Sequence, residues 1–171
     1  GDEQTSPVVT PKLINIQNIN IDWTGSTTTL DLRNADSTEK VNVERVTQDA
    51  GAVTVDNIST PVADLRVSNT ASDDATVAFV YKQGVLTGND TLDIELDDVL
   101  AQMVGQSGRG TGAATEGFET VNLNAVNGVD LDRFSVNEME SLVITGSDDL
   151  KIVNLWENNN PPGINTVFEW N

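Results

Sequence analysis

The chain has 171 residues, 27 acidic against 9 basic, for a formal charge of −18, with no cysteine and no histidine. That charge argues against nucleic acid as a partner, because a polyanion is repelled and no basic cluster offers a local exception. The missing cysteine and histidine exclude disulfides, thiolate metal sites and the usual general base. Val, Ile and Thr make up 49 residues, which indicates a mainly β chain, and the length suits burial of a core.

The N-terminal stretch is polar and ends at a proline, so we expect residues 1–11 to be a tail or a linker. It lacks a basic region followed by an apolar one, which is the pattern of a signal peptide. No run of the chain approaches 18 apolar residues. The sequence therefore predicts no segment that spans or inserts into a membrane.

Four apolar-alternating segments of the first part of the chain return later in the same order. The offset between partners falls from 102 (118 − 16) to 97 (150 − 53), as expected if loops vary while strands are kept. The pairs are 16–22 with 118–124, 30–32 with 129–131, 40–43 with 141–144, and 53–57 with 150–154. The sequence thus predicts two degenerate copies of one β unit, residues 12–60 and residues 117–156.

The middle region, residues 61–116, contains three further strand candidates, at 63–68, 76–81 and 91–96. Residues 97–105 predict one short helix of about two turns, with an Asp as N-cap and a Gly past its end. Residues 107–117 are rich in Gly but lack the Lys of a phosphate-binding loop, so they predict a flexible insertion. At the other end, residues 157–171 are expected to form a C-terminal cap or linker.

One motif with possible chemistry, T-G-x-D-x-L-x-I, occurs at residues 87–94 and 145–152. It matches the second half of the calcium-binding nonapeptide of parallel β-rolls, in which glycines shape the turn while carbonyls and the Asp bind the ion. The first two glycines of the nonapeptide are absent at both places. An Asp-containing turn without a metal is therefore the alternative. The candidate Ca²⁺ ligands are Gly88, Asn89, Asp90, Gly146, Asp148 and Asp149.

The order of these features over residues 87–154 resembles the repeat region of a known family. It is similar to type I-secreted, calcium-dependent bacterial surface-layer (S-layer) proteins of the Caulobacter type and to RTX-like β-roll surface proteins. The resemblance rests on segments 88–96, 117–123, 139–146 and 149–152. It implies a calcium-stabilised β-solenoid at the cell surface, forming a lattice or filament. The implied partners are copies of itself, neighbouring domains of the same protein and surface polysaccharide.

The fold class expected is mainly β: an irregular, β-helix-like parallel β-solenoid with one short helix. An antiparallel β-sandwich is the alternative. Both place one face of each strand in the core. The core positions expected from the alternation are Ile19, Ile21, Leu30, Leu32, Val41, Val43, Leu92, Ile94, Val121, Leu123, Leu142, Ile144, Leu150 and Ile152.

The function expected is structural and self-associating, without turnover. Catalysis is disfavoured because the carboxylate pairs are adjacent in sequence, and neighbours on a strand point to opposite faces. A carbohydrate-binding or adhesin module is the alternative, since exposed aromatic rings on a flat β face suit stacking on sugars. The rings that decide between these functions are those of Trp23, Tyr81, Trp156 and Trp170.

Overall fold

The computed structural model describes residues 7–23, 28–46, 51–109, 116–156 and 168–170. Within these ranges the chain forms strands and no helix. In chain order the strands are β1 (Val8–Val9), β2 (Asn18–Asp22), β3 (Thr28–Asp31), β4 (Lys40–Glu44), β5 (Ala52–Ile58), β6 (Asp64–Tyr81), β7 (Thr91–Gly108), β8 (Thr120–Val136), β9 (Ser141–Gly146), β10 (Leu150–Trp156) and β11 (Phe168–Trp170).

The strands stack in two parallel ladders. The first ladder runs β2, β4, β6, β7, β8, β9 and uses the N-terminal halves of the three long strands. The second runs β1, β3, β5, β6, β7, β8, β10 and uses their C-terminal halves. β11 adds to β10 as the single antiparallel pair of the described strands. The chain is thus a β-solenoid of about five turns, as predicted, and the antiparallel sandwich alternative is wrong.

The recurring unit is a rung, which we define as one strand of the first ladder followed by one strand of the second. The long strands β6, β7 and β8 each form a whole rung. The matched segments of the first ladder, β2 with the start of β8 and β4 with β9, lie in the same ladder. The match of β3 with 129–131 is not kept by the register, which carries Leu30 through Val55, Phe79 and Gln106 to Val136. Each predicted copy therefore contains two successive rungs.

The chain passes from the first ladder to the second through a residue in the left-handed region. These corner residues occupy equivalent positions on successive rungs and have φ between 53° and 55°. Asn and Asp adopt this conformation more readily than most residues, which fits three of the four positions. The corner residues are Arg45, Asn69, Asp98 and Asn127.

The short helix predicted over residues 97–105 is wrong, because this stretch lies inside β7. Val99 and Ala101 point into the core, whereas Leu100 is 41% exposed on the outside. β7 pairs along its length with β6 on one side and β8 on the other. Two ladders of backbone hydrogen bonds outweigh the helix propensity of a short apolar run.

The core is a continuous column of apolar side chains between the two ladders. Nine of the fourteen predicted core positions are buried: Leu32, Val41, Val43, Leu92, Ile94, Val121, Leu123, Leu150 and Ile152. The other five pack against this core but are half-buried: Ile19, Ile21, Leu30, Leu142 and Ile144. Four of the five lie on β2 and β9, the end strands of the first ladder, which have a described neighbour on one side only. Leu30 lies on β3, which is covered on one side only by the two-residue strand β1.

A pair of identical truncations tests this stacking. Leu65→Ala removes a fully buried side chain that lies between Val41 and Ile94 of the adjacent rungs. We expect it to lower the free energy of unfolding by about 2–5 kcal/mol. Leu30→Ala, at a half-buried position on the first rung, should cost clearly less. Urea unfolding of both variants measures the difference, and equal losses would contradict the stacked core.

Candidate cation-binding turns and the polar faces

The first half-motif turn leads into β7. Gly88 has φ of 99°, which a residue with a side chain rarely adopts, so glycine is required by the backbone. The Asp90 N–H donates to Glu119 Oε2 at 2.7 Å, and the Asp90 carbonyl accepts from the Thr120 N–H at 3.3 Å. Asp90 Oδ2 is buried and has no hydrogen-bond partner among the described residues. The turn is thus held by the next rung.

The second half-motif turn connects β9 to β10 and needs its glycine for another reason. A Cβ on Gly146 would come within 2.5 Å of the Ala125 carbonyl oxygen, so close packing of rungs excludes a side chain here. Asp148 Oδ1 accepts from the Asp149 N–H at 2.8 Å, and both side chains are exposed. A cavity of about 260 Å³ adjoins this turn and is lined by Ala125, Ile144, Thr145, Gly146, Asp148 and Leu150.

The structure does not bring the two turns together. The turn with Gly88, Asn89 and Asp90 enters a strand of the first ladder, whereas the turn with Asp148 and Asp149 enters the second. Among the described residues, no three acidic side chains converge into a group that could hold a metal ion. The two turns therefore do not form one joint site, and calcium binding at the six predicted residues stays a prediction.

The register instead aligns the second turn with the corner residues. Asp148 follows Asn127 and Asp98 on successive rungs, because Gly146 lies opposite Ala125 and Leu150 opposite Val129. A shallow groove of about 500 Å³ at this corner is lined by Asp98, Val99, Leu100, Asn127, Gly128, Val129, Asp130, Asp149, Leu150 and Lys151. Only the strand register reveals this neighbourhood, since the residues lie 20 to 50 positions apart in sequence.

The outer face of the first ladder carries polar side chains that bridge the rungs. Arg66 is 24% exposed and donates to Glu95 Oε1 at 2.7 Å and to Asp97 Oδ2. On the next rung, Asn124 donates to Glu95 Oε2 at 3.1 Å and Asn127 donates to Asp97 Oδ1 at 2.8 Å. Both carboxylates therefore receive a cationic donor from one side and an amide donor from the other.

Two carboxylates of the second ladder, Asp31 and Asp56, are held by arginines. They lie opposite each other on neighbouring rungs. Arg33 donates through Nε to Asp31 Oδ2 at 2.7 Å, and this hydrogen bond holds the pKa of Asp31 below its ordinary value. Arg109 donates from Nη2 to both oxygens of Asp56 at 2.8 and 2.9 Å. Arg33 thus pairs with a carboxylate of its own rung, whereas Arg109, which follows β7, reaches across β6 to a carboxylate of β5.

The aromatic rings that would favour sugar binding are in part unavailable. Trp23 is 7% exposed and Tyr81 is fully buried, with its hydroxyl donating to the Val62 carbonyl. Desolvation in this position raises the pKa of Tyr81 well above its ordinary value. The side chains of Trp156 and Trp170 lie outside the described part of the chain. Neither Trp23 nor Tyr81 offers a face for stacking.

Replacing Arg66 tests whether the polar face supports the stack. Arg66→Gln leaves Glu95 and Asp97 without their cation, and we expect a loss of about 1–3 kcal/mol in the free energy of unfolding. Lys40→Gln breaks a more exposed pair with Asp64 and should cost less than about 1 kcal/mol. Denaturant unfolding at moderate salt measures both, and an Arg66 variant as stable as the parent would contradict a supporting role.

Comparison of the chain with protein-family models, curated proteins and solved structures found no match. In the described residues no helix is long and apolar enough to cross a membrane. What the molecule does is therefore inferred from its own residues and fold.

Proposed function

We propose that this chain is a structural, self-associating module of an extracellular surface-layer or filament-forming protein, stabilised by calcium. The observation that carries the proposal is the use of its charged side chains. Arg66, Arg33 and Arg109 each engage carboxylates within the stack, so these groups serve the fold. A module that functions as a building block needs this kind of rigidity and no turnover chemistry.

The charge of the chain and its exposed acidic corner support the calcium proposal. A chain of −18 repels itself, and a divalent cation that binds only the folded state would offset that repulsion. Asp98, Asp148 and Asp149 are exposed at the corner between the ladders, and carboxylate oxygen is the donor that Ca²⁺ prefers. The ligands we propose are those of the two half-motif turns, each binding on its own with water completing the shell.

The end strands of the first ladder support the proposed self-association. Within the described strands, β2 pairs only with β4 and β9 pairs only with β8. An unpaired strand edge is a template for pairing with another chain. Modules of this kind would assemble outside the cell, with copies of themselves or neighbouring domains as partners. Surface polysaccharide remains a further proposed partner, with less support because Trp23 and Tyr81 are buried.

The calcium proposal predicts a shift in thermal stability. Millimolar Ca²⁺ should raise the melting temperature at matched ionic strength, and Mg²⁺ should do less because it requires a smaller octahedral shell. Asp148→Asn and Asp90→Asn should each lose part of this shift, whereas Asp73→Asn, an exposed acid outside both turns, should keep it. Calorimetry in calcium and in chelator makes the comparison. Identical melts of the parent in both would contradict the calcium proposal.

Assembly is the second expected outcome. Light scattering at high protein concentration should show association that grows with Ca²⁺ and reverses on chelation, because the cation offsets repulsion between acidic copies. Monovalent salt at equal ionic strength should have little effect. A chain that stays monomeric throughout this titration and instead hydrolyses or tightly binds a glycan would favour the enzyme or adhesin alternatives.

A further inference from the structure

We infer that β9 is the surface through which two copies of this chain pair, edge to edge and antiparallel, centred on Ile144. This inference rests on the self-association proposed above and names the strand, the register and the partner.

The backbone of β9 presents hydrogen-bonding groups at an open edge. The N–H groups of Ser141 and Ser147 donate to β8, to the carbonyls of Glu119 and Ala125 at 2.8 and 3.0 Å. Alternate residues of a strand direct their N–H and C=O to opposite sides. Leu142, Ile144 and Gly146 therefore direct theirs away from β8, toward an edge that no described strand occupies.

β9 also lacks the features that keep edges from pairing. Natural edges are protected by charged residues, Pro or bulges, and the sequence S-L-V-I-T-G contains no charge and no Pro. Val143 on its outer side is 48% exposed. By contrast, β2 at the opposite open edge carries Asp22, which pairs with Arg45. In a chain of −18, β9 is therefore the end strand of the first ladder at which two copies can approach without carboxylates in the paired strands.

The side chains of β9 are self-complementary in one register. Leu142, Ile144 and Gly146 occupy the inward columns of Val121, Leu123 and Ala125. Antiparallel pairing centred on Ile144 sets Ile144 against Ile144 of the second copy and Leu142 against Gly146 of the second copy. The 260 Å³ cavity lies beside Gly146, and its apolar lining comes from both ladders, from Ala125, Ile144 and Leu150, with Thr145 and Asp148 as its polar lining. The half-buried Leu142 of one copy thus lies beside the Gly146 cavity of the other copy. This fit points to a second copy as the partner of the β9 edge.

The same register has two further consequences. Glu140 of each copy, which is exposed, comes to face Asp148 of the other, so like charges meet at both ends of the paired strands. Pairing is then weak until that repulsion is reduced. In addition, β11 extends the second ladder one strand beyond β10. Two copies joined through β9 must therefore meet at an angle, because both β11 strands lie on the same side of the contact.

The test compares two matched substitutions that each introduce a charge into the full chain, by sedimentation velocity in calcium. Val143→Glu places a carboxylate on the outer side of β9, and Asn20→Glu places one on the outer side of β2. Val143→Glu should weaken association at least tenfold, whereas Asn20→Glu should associate like the parent. Thermal melts at low concentration check that both variants fold. Glu140→Gln should associate more strongly than the parent in chelator.

Hydrogen exchange locates the contact independently of the variants. In the associated sample the amides of Leu142, Ile144 and Gly146 should exchange more slowly than in the dilute one, and small-angle scattering should show a bent dimer. Suppose that the parent associates but both substitutions weaken its association equally, or that the slowed amides lie at 18–22. The inference about β9 is then wrong, while the proposed function stands. A parent that never associates contradicts the proposed function itself.

Discussion

Register between parallel rungs is the constraint on which the rest of this molecule depends. Each interior strand is hydrogen-bonded to the rung before it and the rung after it, so a residue's neighbours are the residues at the same position on those rungs. A slip of one residue would turn every inward side chain of a strand outward. Columns such as Val41, Leu65, Ile94 and Leu123 are therefore apolar throughout, and the corner residues repeat at one position.

Charge in this protein is organised by the same columns. Glu95 and Asp97 sit between Arg66 on one rung and asparagines on the next, which a stack with any other register would not allow. Partial burial makes such pairs more effective than pairs in open solvent. The nine basic residues are too few to do this everywhere, so much of the acidic surface is left to solvent and cations. This imbalance underlies the proposed dependence on calcium.

The ends of the stack differ from its middle for a simple physical reason. An end strand of the first ladder has a described neighbour on one side only, so its inward residues are half-buried and no described strand occupies its outer edge. The second ladder carries β1 and β11 at its ends, whereas the first ladder ends at β2 and β9. β2 and β9 both lie at an end of the first ladder, but β2 is polar whereas β9 is uncharged. The contrast between them is what makes one edge a better pairing surface than the other.

Several features could be read from the sequence because they depend on local alternation. Apolar residues at every second position, separated by turns rich in Gly, Asn and Asp, determined the strands, the inward residues such as Leu92 and Ile94, and the repeat that indicates a solenoid. Segment 97–105 lies in β7 and not in the predicted helix, because so short a segment has no decisive period and the pairing of β7 with both neighbours sets its structure. The candidate site shows the same limit. The two half-motifs share one sequence pattern, but their glycines are needed for different reasons. Gly88 is needed for its positive φ, and Gly146 is needed because the Ala125 backbone leaves no room for a side chain. Only the register, which joins residues 21 to 30 positions apart, could place them in different ladders and set Asp148 beside Asn127.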